Sequence, residues 1–195
     1  MDDELNAGAH VDQLCVKLNR SIFLLKNLCE MAGFRIGKLV YNAYVNSHLS
    51  FCSGYWGSAP KRKLDKLYSL QRRAARVISP PAAPESLKDL DIIPLPLAIS
   101  YKTCTFIHDQ ITGRGANVLN IKLLGNSRAT RALNNRIIKL ERRKTAIGSK
   151  SLYVKAARIW NCLPVNVRTI NSRPLFKRSL RRYLMLEEND RMNYF

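Results

Sequence analysis

Residues 61–78 separate into two opposite faces when they are placed on a helix. With Lys61 set at zero and about 100° per residue, five of the other basic residues lie between about 0° and 140°. Most of the apolar residues, with Gln71, lie between about 160° and 300°. Such a segment can bury only one side, so it must form an amphipathic helix with a basic outer face. The basic face consists of Lys61, Arg62, Lys66, Arg72, Arg73 and Arg76. The buried face consists of Leu64, Leu67, Leu70, Gln71, Ala74, Val77 and Ile78.

Basic charge is concentrated in two blocks of the chain. The 195 residues contain 33 Lys and Arg against 14 Asp and Glu, a formal charge of +19. Residues 1–60 balance at 5 − 5 = 0, whereas residues 61–80 carry 7 − 1 = +6 and residues 121–160 carry 11 − 1 = +10. Blocks of one sign attract polyanions, so nucleic acid is the predicted partner and a solvated charge run is the alternative. The second block adds the candidate contacts Arg128, Arg131, Arg136, Arg142, Arg143 and Lys144.

Hydrophobic spacing elsewhere predicts a mainly α fold. Apolar residues three and four apart indicate helices over residues 10–31, 36–51, 97–111 and 151–162. Ser172 and Pro174 signal the start of a last amphipathic helix, and residues 187–195 are predicted to form a frayed tail. Ile137, Ile138 and Leu140 with residues 145–147 predict a short β-ribbon near 136–150. The best boundary between domains is at Gly113 and Gly115.

Cysteine usage and hydropathy predict an intracellular protein, nuclear or cytoplasmic. The five cysteines are an odd number with no C-x-x-C motif, which argues against a disulfide framework. The acidic start and the lack of a long apolar run predict neither a secretory signal nor a membrane span. We therefore expect no membrane partner.

The sequence assembles no recognisable catalytic constellation. Phosphoryl chemistry on polynucleotides needs clustered carboxylates for divalent ions, and Asp2-Asp3 has no preceding strand to support it. Two helical pairs, His48 with Cys52 and Cys104 with His108, could supply a zinc ligand set, but buried apolar roles explain Cys52 and Cys104 equally well. We expect no enzyme activity in the isolated chain and no cofactor.

A series of short motifs runs along the chain in a fixed order. It begins with His10-Val11, Leu14, Lys17 and Leu18, then Tyr44 to Leu49, Gly54-Tyr55-Trp56-Gly57 and Leu70-Gln71-Arg72-Arg73-Ala74-Ala75-Arg76. Further along it continues with Ile93-Pro94-Leu95, Thr130-Arg131, Arg143-Lys144-Thr145, Trp160-Asn161-Cys162-Leu163-Pro164 and Phe176-Lys177. This ordered series, over about residues 2–184, resembles the region after the catalytic palm in jockey-like non-LTR (LINE-type) retrotransposon reverse transcriptases.

The resemblance implies a specific division of the chain. Residues 1–9 are similar to the end of the palm, residues 10–112 to a helical thumb-like region, and residues 113–195 to a basic C-terminal region. The catalytic carboxylates, with their Mg²⁺, would lie before Met1. A thumb of this family grips the template–primer duplex by its backbone.

Two functions from different classes follow. The first is a non-catalytic nucleic-acid-binding fragment that holds RNA or an RNA–DNA duplex by basic helical faces. The second is a helical interaction module whose seam from Val11 to Leu28 docks the missing polymerase body or a second copy; a non-functional retrotransposon remnant is a further alternative. Tyr55, Trp56, Tyr153 and Trp160 could stack bases, although core packing is the favoured role.

Overall fold

The computed structural model describes residues 7–79, 87, 89–115, 118–124, 135–140, 145, 148 and 151–186. The fold is mainly α, as the periodicity predicts. The chain forms two compact units that divide between Ile99 and Ser100. None of the helices in these ranges has the length and apolar character that crossing a membrane requires.

Three helical rods build the first unit. Helix α1 spans Gly8–Ala32 and ends at Gly33, whose φ of 80° suits glycine. A second rod follows as α2 (Phe34–Val40), a π-helical segment (Tyr41–Asn46) and α3 (Ser47–Ser50). After the short α4 (Ser53–Trp56), Pro60 precedes α5, which spans Lys61–Ile78. Helix α5 ends where the sequence predicts, because Ser79 lies before a proline and adopts an extended conformation.

Contacts at both ends of the rods fix their directions. Lys63 Nζ donates to Asp12 Oδ2 at 2.7 Å near the starts of α5 and α1. Near their ends, Cys29 and Ile78 both face Gly37 of α2. Helices α1 and α5 therefore run parallel. The rod that lies between them in sequence runs antiparallel to both, as expected for helices joined by a turn as short as the one at Gly33.

A buried amide holds α5 in place. Gln71 lies on the core face, where its Nε2 donates to Tyr41 Oη at 3.2 Å and to the Ile93 carbonyl at 3.0 Å. Its Oε1 accepts from Leu95 N at 2.7 Å. Burial raises the pKa of the Tyr41 hydroxyl to about 12, and the hydrogen bond from Gln71 acts against this rise. The hydroxyl is therefore neutral at physiological pH. The amide thus joins three segments of the first unit, with every donor and acceptor satisfied.

The second unit contains most of helix α6 (Leu95–Ile111), followed by α7 (Leu152–Asn161), α8 (Val165–Arg168) and α9 (Arg173–Leu186). Its core is centred on Trp160 and Phe176, with ring centroids 5.8 Å apart. His108 stacks on Phe176 at 4.1 Å, and its Nε2 lies 2.9 Å from the Ile170 carbonyl oxygen. The predicted helices over 97–111, 151–162 and after Ser172 are confirmed.

A short segment is attached to α7 by paired hydrogen bonds. Ile138 N donates to Asn161 Oδ1, and Asn161 Nδ2 donates to the Ile138 carbonyl, both at 2.9 Å. Trp160 Nε1 donates to the Arg136 carbonyl at 2.7 Å. Trp160 and Asn161, which are adjacent in α7, therefore hold residues 136–138 against this helix.

Part of the predicted β-ribbon lies outside the described residues. Ile138 forms one isolated antiparallel bridge with Leu123, whereas residues 146 and 147 of the predicted ribbon are not described. The two compact units divide within α6, between Ile99 and Ser100, and Gly113 follows the end of this helix with φ 70°. Leu95 and Ile99 of α6 belong to the first core, whereas His108 stacks on Phe176 in the second unit. The predicted tail, residues 187–195, and residues 1–6 also lie outside the described residues.

Candidate nucleic-acid interface

The basic face of α5 is exposed. Burial follows the predicted faces: Leu64, Leu67, Gln71, Ala74 and Ile78 are buried. All six basic residues predicted for the outer face are exposed: Lys61, Arg62, Lys66, Arg72, Arg73 and Arg76. We call these six the α5 stripe. At about 1.5 Å rise per residue, the stripe extends about 22 Å from Lys61 to Arg76.

Helical geometry explains why Lys63 is not a member of the stripe. Lys63 lies on the side of α5 that faces α1, where it is half-buried and bound to Asp12. By contrast, the side chains of Lys61, Arg62, Lys66, Arg72 and Arg73 form no ion pair with any described residue.

The sequence prediction missed an acid on this face. Asp65 lies at about 40° on the helical wheel, inside the arc of the stripe, and it is exposed. The charge count over residues 61–80 includes Asp65 but does not show on which face of α5 this residue lies. Its angle on the helical wheel does show this. Its carboxylate lowers the local positive potential around Lys61, Arg62 and Arg72.

The second basic block is only partly described. Arg136 is half-buried, and its Nη1 donates to the Arg168 and Ile170 carbonyls at 3.2 Å each, while Nη2 bonds to Asn171 Oδ1. Its guanidinium is thus committed to the second unit, and we remove it from the candidate phosphate contacts. The remaining candidates of this block, Arg128, Arg131, Arg142, Arg143 and Lys144, lie outside the described residues.

Helix α9 carries another basic face. Phe176, Leu180 and Leu184 are buried, and the basic residues occupy the other side of the helix. Arg178 and Arg182 are exposed, and Lys177 and Arg181 are half-buried. This arrangement repeats the design of α5 in the second unit.

The tryptophans do not form a stacking platform. Trp56 and Trp160 are fully buried, and both indole N–H groups donate to backbone carbonyls, Phe51 and Arg136 respectively. Their predicted core role is confirmed. Tyr55 and Tyr153 are half-buried, and Tyr153 Oη donates to the Lys139 carbonyl at 2.8 Å.

The seam proposed for a protein partner is occupied within the first unit. Val11, Leu14, Leu18 and Leu25 are buried in the core that α1 forms with α5, whereas Leu28 at the end of the seam is 38% exposed. The antiparallel rod and the parallel α5 therefore cover most of this seam within the first unit.

The candidate zinc ligands do not form one helical set. His48 lies in α3, but the helix ends at Ser50 and Cys52 adopts a left-handed conformation with φ 49°, so the expected spacing on one face is lost. Cys104 and His108 do share α6, where burial raises the pKa of Cys104 and His108 Nε2 faces the Ile170 carbonyl. In the described ranges no group of three or more His, Cys, Asp or Glu side chains could hold a metal.

No protein-family model, curated protein or solved structure matched this chain.

Proposed function

We propose that this protein binds nucleic acid through the phosphate backbone and that the α5 stripe is its principal contact. The observation that carries the proposal is the exposure of six basic side chains on one face of a single helix whose opposite face is fixed in a core. Phosphate contacts of this kind are independent of sequence. RNA or an RNA–DNA duplex is the proposed partner.

Rigidity of the support favours this function. Three hydrogen bonds fix Gln71 in the middle of α5, and Lys63 bonds to α1 near its start. The stripe is therefore presented on a fixed helix, so only its long side chains need to be ordered when a strand binds.

An origin in the C-terminal region of a retrotransposon reverse transcriptase belongs to the same proposal. It rests on the ordered motifs of the sequence, and it implies a binding role without catalysis for this chain at an intracellular site, nuclear or cytoplasmic. The buried seam on α1 supplies no support for the alternative of an interaction module.

A charge-matched pair of variants tests the proposal. Replacing Lys66, Arg72 and Arg73 by Gln removes three stripe charges that have no partner among the described residues. Affinity for a 16-base-pair RNA–DNA duplex at 100 mM salt should fall about 100-fold, and the slope of log Kobs against log salt should shrink by about 2–3. Fluorescence anisotropy measures both quantities.

The control removes the same charge from another surface of the same unit. Lys17, Arg20 and Lys38 are exposed and lie outside α5, so their replacement by Gln should cost much less affinity. Equal losses in the two triple variants would show that the net charge binds the duplex and that the α5 stripe has no special role.

A further inference from the structure

A buried cation in the second unit has unused hydrogen-bond donors. Arg168 ends α8 and is 6% exposed. Its Nε and Nη1 atoms have no hydrogen-bond partner in the described part of the chain. A guanidinium keeps its charge at physiological pH, so burial cannot neutralise it as it neutralises a carboxylate or a lysine. A charge in this position is costly unless an acceptor meets it.

Carboxylates that could meet Arg168 are scarce in this unit. Residues 100–194 contain 20 Lys and Arg against 5 Asp and Glu, a difference of +15. Asp109 is the only carboxylate among the described residues of the unit, and Arg173 holds both of its oxygens at 2.8 Å. The excess of positive charge favours an anion from outside the chain.

The backbone around Arg168 is held in position. The Arg168 and Ile170 carbonyls both accept from Arg136 Nη1, and Arg136 also bonds to the side chain of Asn171. A second guanidinium is thus fixed on the same stretch and adds to the positive potential there. An anion would meet a prearranged group and would not have to order a loop.

An exposed cysteine lies near this guanidinium. Burial lowers the pKa of Arg168, and the nearby Cys162 thiol opposes that shift. Cys162 is exposed at the end of α7. Its thiol is therefore a chemical probe for an anion that binds close to Arg168.

We propose that Arg168 anchors an anion subsite in the second unit that accepts a phosphoryl group, either as free phosphate or within a nucleic-acid strand. Phosphoryl oxygens are strong acceptors with more than one negative charge to set against the guanidinium and its basic surroundings. The subsite is separate from the α5 stripe and does not depend on it.

Thermal unfolding in phosphate and in chloride at matched ionic strength tests the proposal. Phosphate at five times its Kd should raise Tm of the unchanged protein by about 2–4 °C. Arg168→Met should abolish this rise without lowering Tm in chloride, because an apolar side chain of similar volume removes an uncompensated buried charge. Arg178→Met, at an exposed position of α9, should keep the rise. No rise in the unchanged protein, or an equal rise in Arg168→Met, would overturn the proposal.

Alkylation of Cys162 in the unchanged protein provides a readout that needs no variant. Phosphate at five times Kd should slow modification of Cys162 about sixfold, as followed by peptide mass spectrometry, while the exposed Cys52 of the first unit serves as the internal control. An eight-nucleotide RNA used in place of phosphate distinguishes the source of the phosphoryl group. Protection by either probe supports the subsite, and protection by neither overturns it. The triple variant of Lys66, Arg72 and Arg73 should show the same protection by phosphate, so failure of the α5 stripe and failure of this subsite give different results.

Discussion

At the scale of single residues, Asp65 is the feature of the α5 stripe most open to test. It lies on the exposed face among the basic residues, and no described residue is its ion-pair partner. Asp65→Asn removes a repulsive charge from a bound phosphate strand. We expect affinity for the duplex at 100 mM salt to rise by about fivefold, measured by anisotropy.

A matched change of charge elsewhere gives the comparison for Asp65. Glu30 lies on α1, exposed and 3.9 Å from Lys26. Glu30→Gln alters the net charge equally, and we expect it to leave the affinity nearly unchanged. An unchanged or lower affinity for Asp65→Asn would mean that the strand does not lie along this face.

His108 gives the second unit a pH-dependent stability. Burial lowers its pKa, while the hydrogen bond to the Ile170 carbonyl and the neighbouring Asp109 oppose this shift and Arg136 and Arg114 add to it. The folded state thus prefers the neutral ring, and the unfolded chain takes up a proton first as the pH falls below about 6.5. The contribution of His108 to the free energy of unfolding is therefore complete above about pH 6.5 and declines at lower pH.

The measurement is urea unfolding between pH 5 and pH 8. The free energy of unfolding should decline below about pH 6.5 in the unchanged protein. His108→Gln keeps a donor for the Ile170 carbonyl and should remove much of that decline. His48→Gln, at a half-buried position of α3, should retain it. The same pH profile in all three proteins would contradict the assignment.

At the scale of the elements, the close approach of three helices at Gly37 sets how the first unit packs. A Cβ placed at Gly37 would lie 2.6 Å from Cys29 Sγ and 3.2 Å from Ile78 Cγ2, and both neighbours are buried. Gly37→Ala should therefore lower the free energy of unfolding by about 1–3 kcal/mol, even though alanine favours a helix. Urea unfolding measures this loss.

A double-mutant cycle shows whether the contact with Cys29 is the cause. In a Cys29→Ala background the sulfur is gone, so Gly37→Ala should cost less by about 0.5–3 kcal/mol. Additive losses, or a Gly37→Ala protein as stable as the unchanged one, would place the packing constraint elsewhere.

Helices α1 and α5 could be predicted from sequence because each places apolar residues on one side over several turns. The π-helical segment at Tyr41–Asn46 and α8 could not, because each is only six or four residues long, too short for hydrophobic spacing to mark it. The α5 stripe could be predicted for the same reason as α5 itself, because residues opposite the buried face of a helix are exposed. Arg168 could not: only the tertiary structure shows that its donors are buried and unused.

At the scale of the whole molecule, charge and structure are distributed differently. Residues 1–99 have 13 − 9 = +4 and residues 100–194 have 20 − 5 = +15, so the unit with the α5 stripe carries the smaller part of the +19. Net charge alone would predict the nucleic-acid site in the second unit. The first unit is favoured because its basic residues lie together on one exposed helix face.

The dependence of duplex binding on salt tests the central claim most directly. If the six residues of the α5 stripe each neutralise a phosphate, log Kobs for an RNA–DNA duplex should fall against log salt with a slope of about −4 to −5. Between 50 and 200 mM salt the affinity would then fall about 10³-fold. A flat salt dependence, or no binding at 50 mM salt, would contradict the account.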